Sequence, residues 1–343
     1  MIRFLWFLSL CLFTSCVNEV EDSPKLLSLK GQALGTTWTV KLISSKRTDE
    51  DELHTELAAK IEETEKIFSH WRPDSKLYQI NASLSDEPFS VPPMLHELLK
   101  HAKWMHEQTN GAFDPTIAPL VNLWGFGPIS RNRLRIPKEE EINQALEQVG
   151  LSQLEILNGN RIRKKRPDLQ IDLSASAKGE IIDQICGMLD GRGFNNYLVE
   201  IGGEIRARGN GKSGTGWAVG LEDGPRDQAE DWTAVDLLDY SVATSGTYRQ
   251  SKPNPNSAVP ASHLLDPRTG RPVEHNLVAV NVLAPTARDA DALATALMIL
   301  GPEEGMRKAE EMNLIARFCS KEENRTQRSY TTTWRRLHPA FEP

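Results

Sequence analysis

PTARDADALATALMILG, residues 285–301, organises the reading of the chain. Ala287, Ala290, Ala294, Leu297 and Met298 recur at spacings of three and four, the period of an amphipathic helix. Thr286 can cap its start and Gly301 can end it. Val278 to Leu283, immediately before, reads as a strand leading into the helix. Asp291 and Thr295 stand four apart, so a carboxylate and a hydroxyl share one face a turn apart. Two hard oxygens there suit Mg²⁺ or a polarised ligand. The alternative is local: Asp291 caps or pairs nearby and Thr295 bonds back to a carbonyl.

Upstream, IDLSASAKGEIID (171–183) reads as a strand passing through a small-residue turn into a helix, with Lys178 at the helix start. Such a junction suits phosphate. A lysine there opposes the helix dipole, so an anion or a carboxylate partner explains it better than helix stability does. YLVEIGGEIRAR (197–208) reads as one strand with Gly202-Gly203 marking a bulge or close backbone approach. Residues 209–214 match GxGxxG, but GWAVGLED follows as a strand, so we read a hairpin turn. Gly211-Lys212-Ser213 fails as a P-loop because Arg206 stands where that motif needs glycine. In ATSGTYR (243–249), Ser245 and Thr247 flank a glycine that permits close approach to a ligand. His263 lies on a short strand-like run before the Asp266-Pro267 turn.

Nearer the N-terminus, residues 31–43 alternate as a half-buried strand. Thr48 to His70 reads as a helix with Leu53, Leu57, Ile61, Thr64 and Phe68 on one face, and Thr48 with Asp51 resembles a capping box. Met94 to Thr109 is a second helix, ended by Asn110-Gly111. Its His96, His101 and His106 stand five apart; each is turned about 140° from the last, so they cannot share one metal and read as surface or boundary residues. TNGAFDPTIAPLVNLWGFG (109–127) is turn-rich yet strongly apolar, as a loop that folds inward to line something is. Asp114 can bond backbone amides in a turn there, or do no more than hold that turn. Pro137 to Val149 is a short acidic helix, and RIRKKR (161–166) reads as a solvated strand edge or hairpin. Hairpins and helices without a regular strand–helix rhythm imply an α+β fold with mixed or antiparallel sheets, not a doubly wound one.

The chain has 343 residues, 39% hydrophobic and 25% charged, enough for one large domain or two intimate ones. A net charge of −7 gives no reason to expect nucleic acid. Arg3, the apolar run Phe4 to Phe13 and Phe13-Thr14-Ser15-Cys16 resemble a bacterial lipoprotein signal. Residues 1–15 would be removed, Cys16 would carry the lipid, and residues 16–29 would be a polar tether. The folded domain is then 30–320, with 321–343 as a tail packed on the surface. The expected location is a membrane-anchored lipoprotein facing the periplasm or cell exterior. Cys186 and Cys319 could pair in an oxidising compartment or remain buried thiols. The absence of CxxC excludes a cysteine-type zinc site.

A hard-metal pair, a lysine at a small-residue turn, an aromatic glycine-rich loop and a histidine beside a turn together suggest a large planar phosphate-containing ligand held with Mg²⁺. GTTW (35–38), residues 109–127, 171–183, EIGGEIRARG (200–209), ATSGTYR (243–249), SHLLDPRTGRP (262–272) and ADALATALMILG (290–301) occur in an order that resembles the ApbE family. Those proteins are FAD:protein FMN transferases, once described as thiamine-biosynthesis lipoproteins. The resemblance spans about residues 30–318 and implies an α+β fold with a flavin cleft between two intimate subdomains. It implies Mg²⁺-dependent transfer of FMN from FAD to a Thr or Ser hydroxyl of a target flavoprotein, with release of AMP. Targets would be subunits of membrane redox complexes carrying an Asp-x-x-(Ser/Thr)-Gly-Ala-(Ser/Thr) segment, which this chain lacks. Carried over by position, the metal ligands would be the Ala175 carbonyl, Asp291 and Thr295. Flavin and nucleotide contacts would come from Leu34, Trp71, Ala112, Phe113, Asp114, Asp172, Lys178 and Leu265. His263 matches the motif histidine placed near the transferred phosphoryl. Trp38 and Trp71, and Ser174 and Ser176, depart from the commoner residues of these motifs. The alternatives are an FAD pyrophosphatase, a non-catalytic FAD-binding lipoprotein, and a hydrolase using Ser245 and His263, which lacks a GxSxG elbow.

Overall fold

Strands in which alternate residues are apolar on both faces need cover on both sides, and the largest sheet obtains it. In the computed structural model, which describes residues 23–46, 48–129, 135–224, 233–253, 260–322 and 325–337, eight strands form this antiparallel sheet. They are β1 (Lys25–Ala33), β2 (Thr36–Ser44), β6 (Tyr197–Ile201), β7 (Glu204–Arg208), β10 (Ser241–Gly246), β15 (Leu277–Ala284), β16 (Ile315–Glu322) and β17 (Arg325–Tyr330), in that spatial order. Smaller antiparallel sheets pair β3 (Phe89–Ser90) and β4 (Leu154–Leu157) on either side of β5 (Arg161–Lys164), β8 (Trp217–Leu221) with β9 (Thr233–Leu237), β11 (Ser251–Lys252) with β12 (Ala261–Ser262), and β13 (Leu265–Asp266) with β14 (Arg271–Pro272). The expected leader 1–15, Cys16 and the tether as far as residue 22 lie outside the described residues.

One face of the large sheet carries Val40, Tyr197, Val199, Val280 and Val282 into the main core. That core is closed by α1 (Glu50–Phe68), α3 (Pro93–Gln108), α6 (Ala177–Gly191) and α7 (Ala287–Glu311). The alternate residues Leu198, Val242 and Leu283 face the other way, under the β8–β9 ribbon and Trp334 of α8 (Thr332–Leu337). A third cluster gathers Leu120, Trp124, Ile142, Ala145, Ala261 and Leu265 around α4 (Ala118–Leu123) and α5 (Glu139–Leu146). The architecture is α+β with antiparallel sheets, as the sequence implies.

Several local expectations change in the fold. The capping residue of α1 is Asp49, which accepts from the Asp51 and Glu52 amides at 3.1 Å each, not Thr48. Gly202 and Gly203, both at positive φ, are the turn between β6 and β7, so residues 197–208 are a hairpin and not one strand. Residues 209–214 lead from β7 to a separate ribbon and do not join paired strands, because β8 pairs with β9. Residues 171–173 form no strand; Asn81, on α2 (Lys76–Ala82), holds Ile171 through both its amide and its carbonyl at 2.8 Å. Lys164, read as part of a solvated edge, is wholly buried, its ammonium donating to the Ile80 carbonyl at 3.1 Å and to the Ser83 carbonyl beyond the end of α2. His96 is buried on the Leu157 carbonyl at 2.8 Å and is neither a surface nor a boundary residue, whereas His101, half-buried and tied to Asp289 at 2.8 Å, is a boundary residue as read. The expected surface tail supplies β17 and α8, and Trp334 is fully buried. Cys186 and Cys319 are both buried free thiols.

Candidate active site

The helix at 285–301 breaks at Gly301, whose φ is +81°, and resumes at Pro302, so Gly301 ends the first segment. Its start is fixed twice. Thr286 accepts the Asp289 amide at 3.1 Å, and Asp183 of α6 accepts the Ala287 and Arg288 amides at 3.0 Å each. Carboxylate charge at these free amides complements the helix dipole. Gly179 lets α6 approach closely: a Cβ there would lie 2.3 Å from the Ala287 carbonyl oxygen.

This crossing brings the two chemical stretches together. The Gly179 amide donates to Asp291 Oδ2 at 3.1 Å. Gly179 is the third residue of α6, so its amide has no acceptor within the helix and is met by Asp291 instead. Lys178 Nζ lies 3.1 Å from Glu204 Oε1 and 3.5 Å from Asp291 Oδ1. Burial opposes the Lys178 ammonium, but the carboxylates of Asp291 and Glu204 outweigh it and raise its pKa. Burial pushes Glu204 up to about 7, Lys178 and Arg249 pulling the other way and Asp291 adding to the rise. Arg249 stands behind Glu204 at 3.9 Å, donates to the Gly202 carbonyl at 2.8 Å and pairs with Glu222 at 3.4 Å. Thr295, one turn beyond Asp291, shares a 3.1 Å hydrogen bond with Ser245.

His263 lies at the rim of this cluster. Its Nδ1 donates to the Gln250 carbonyl at 3.0 Å, which leaves the lone pair on Nε2. Burial lowers its pKa to about 4, and Lys178 and Arg249 contribute to the depression. The Phe126 ring meets it edge-on at 6.3 Å, with Lys252 over that ring at 4.8 Å. Ser245 is hydrogen-bonded to Thr295, and among the described residues no hydrogen bond joins it to His263.

The remaining expected site residues lie on neighbouring loops, turns and short strands, each with its own local partners. Asp172 accepts the Ser174 amide at 2.8 Å, lies 3.4 Å from His70 Nδ1, and gives its own amide to the Pro115 carbonyl at 2.7 Å. That bond joins the 171–176 turn to the apolar loop. Trp71, 41% exposed, lies beside the His70 ring at 5.3 Å. Ala112 and Phe113 are buried. Asp114 closes its turn on the Thr116 amide at 2.7 Å and hydroxyl at 2.6 Å. Leu34, at φ +56° beside Gly35, makes the β1–β2 turn, and the Gly202 amide reaches the neighbouring Thr37 carbonyl at 3.1 Å. Leu265 is on β13, which packs against α7.

Glu204, Arg249, Asp183 and Glu222 were not singled out from the sequence. The nearest signal was a glutamate directly after a glycine pair in a strand, where a buried charge demands a partner. Among the described residues, no group of three or more His, Cys, Asp or Glu could hold a metal ion. A cation at Asp291 would therefore use one carboxylate with neutral oxygens. The Thr295 hydroxyl and the Ala175 carbonyl, which precedes the N-cap Ser176 and so has no helical donor, are of that kind. Such a donor set fits Mg²⁺, which keeps waters and ligand phosphates in its shell.

The model of the ApbE family matches residues 34–318. The FAD:protein FMN transferase of Vibrio cholerae serotype O1 is 39% identical over 303 residues, covering 88% of each chain. Its namesake in Escherichia coli K12 is 34% identical over 319 residues, covering 90% of each. Among solved structures, the flavin transferase ApbE from Vibrio cholerae superposes with a TM-score of 0.83 at 36% identity, covering 91% of this chain and 99% of that one. The apo form of the Pseudomonas stutzeri flavinyl transferase ApbE gives 0.84 at 35% identity, covering 92% and 97%. The stretches joined at the α6–α7 crossing both fall inside the matched span, and the chain belongs to the ApbE family.

Proposed function

We propose that this protein is an FAD:protein FMN transferase that moves FMN from FAD to a Thr or Ser hydroxyl of a target flavoprotein, releasing AMP. The observation that carries the reading is the convergence of Lys178, Asp291, Thr295 and His263 around the α6–α7 crossing, in a chain whose relatives bear that name. The acceptor oxygen would bond to the FMN phosphorus as the bond from that phosphorus to the AMP oxygen breaks, and the hydroxyl proton would leave. His263 Nε2 suits that proton, because a neutral imidazole with an open lone pair is a base at pH 7. Lys178 and Arg249 supply positive charge for the pyrophosphate, and Phe126 with Lys252 shields one side of His263 from water. Mg²⁺ held by Asp291, Thr295 and the Ala175 carbonyl would neutralise charge on the phosphates and on the departing AMP. Leu34, Trp71, Ala112, Phe113, Asp114, Asp172 and Leu265 are the proposed walls of the flavin and nucleotide cleft.

Nucleotide chromatography tests this reading. With FAD, Mg²⁺ and an acceptor bearing the Asp-x-x-(Ser/Thr)-Gly-Ala-(Ser/Thr) segment, AMP should appear in step with flavinylated acceptor. Free FMN and AMP at equal rates with or without acceptor would make the protein a pyrophosphatase instead.

Attachment to the membrane, facing the periplasm or cell exterior, and action on subunits of membrane redox complexes are part of the same proposal. The anchor would be lipid on Cys16, at the end of the signal-like N-terminal run. Cys16→Ala should move the protein from the membrane to the soluble fraction; retention in the membrane would remove Cys16 as the anchor.

A further inference from the structure

Asp291 is engaged from two sides, by the Gly179 amide on Oδ2 and by Lys178, 3.5 Å from Oδ1. Lys178 has a second anchor in Glu204 Oε1 at 3.1 Å. Glu204 is 3% exposed, and its Oε2 is buried without a hydrogen-bond partner. Arg249, the other cation beside Glu204, is already held by the Gly202 carbonyl and Glu222.

We infer that Glu204 is a positioning residue that governs divalent-cation binding at Asp291 by holding Lys178 away from it. The inference rests on the reading of Asp291 as a Mg²⁺ ligand. An ammonium and a dication compete for one carboxylate, and Asp291 is too buried for solvent to screen them from each other. The lysine stem is flexible and its three donors rotate, so Lys178 can leave Asp291 without leaving the site. The unpartnered Glu204 Oε2 is where it goes, since an unmet buried acceptor favours any donor that reaches it. With Glu204 neutral, the nearest carboxylate for Lys178 is the metal ligand itself.

Loss of a negative charge would weaken cation binding by itself, so the test is a double-mutant cycle. Mn²⁺ alone is titrated into the full chain in detergent at pH 8, free Mn²⁺ is read by electron paramagnetic resonance, and folding is checked by circular dichroism. Glu204→Gln should weaken binding by about tenfold or more, while in a Lys178→Met background the same change should weaken it several-fold less, by the lost charge alone. Lys178→Met alone should bind at least as tightly as the wild type, which keeps the inference testable if Glu204→Gln does not fold. Equal losses in both backgrounds, or weaker binding by Lys178→Met, would overturn it and leave the metal site standing. A wild type that binds no Mn²⁺, or binding unchanged in Asp291→Ala, would overturn the metal reading and this inference together.

Discussion

His263 shows how a side chain's neighbours set its chemistry. An ordinary histidine is half protonated near pH 6.5, whereas burial lowers this one to about 4. Its neutral state therefore contributes stability that is complete above pH 6.5 and is lost as pH falls toward 4, where the unfolded chain binds the extra proton. A base with this pKa should keep the rate free of a histidine limb near pH 6.5, and a pH–rate profile of transfer checks it. His263→Ala should slow transfer by about 100-fold or more with FAD binding retained, as removal of a general base does. Unchanged transfer would exclude it from the chemistry. The sequence made Asp291 and Thr295 legible through their helical spacing, and Lys178 through its unfavourable place at a helix start. Glu204 and Arg249 stayed hidden because what marks them is a partner on another element, reached only when β6, β7 and β10 are paired.

The junction of α6 with α7 does for the site what no single residue can. Gly179 is small enough for the two helix starts to touch, and its amide reaches Asp291 only because they do. Gly179→Ala should separate them, costing about 1–3 kcal/mol as overpacking does. A denaturant melt should show that loss, and cation affinity should fall with it; unchanged stability would mean that the crossing tolerates the methyl group. Helices were legible from their apolar period, as the buried face of α1 at Leu53, Leu57, Ile61 and Phe68 shows. Hairpins were less so. The run 197–208 keeps its alternation through a two-glycine turn, and alternation does not reveal that the chain has reversed. Lys164 is not legible as a buried residue because its cation meets carbonyls at the end of α2, a tertiary contact with no local sequence mark.

The whole molecule is organised so that the large sheet has helices on one face and the β8–β9 ribbon with α8 on the other. The α+β class was legible from the irregular mixture of elements; the C-terminal closure was not, because the residues after 321 read as polar. Trp334, fully buried against this second face, should cost about 3–5 kcal/mol when changed to Ala, as large aromatic truncations in cores do. Thermal unfolding would show it, and an unaltered midpoint would mean that α8 is dispensable. One site at the α6–α7 crossing would transfer FMN, as proposed above. The most direct measurement is the intact mass of an acceptor protein bearing the Asp-x-x-(Ser/Thr)-Gly-Ala-(Ser/Thr) segment, incubated with FAD, Mg²⁺ and either wild type or Asp291→Ala. A gain of one FMN is expected with the wild type, abolished by EDTA and by Asp291→Ala. An acceptor that gains FMN equally from both proteins, or from neither, would contradict that proposal.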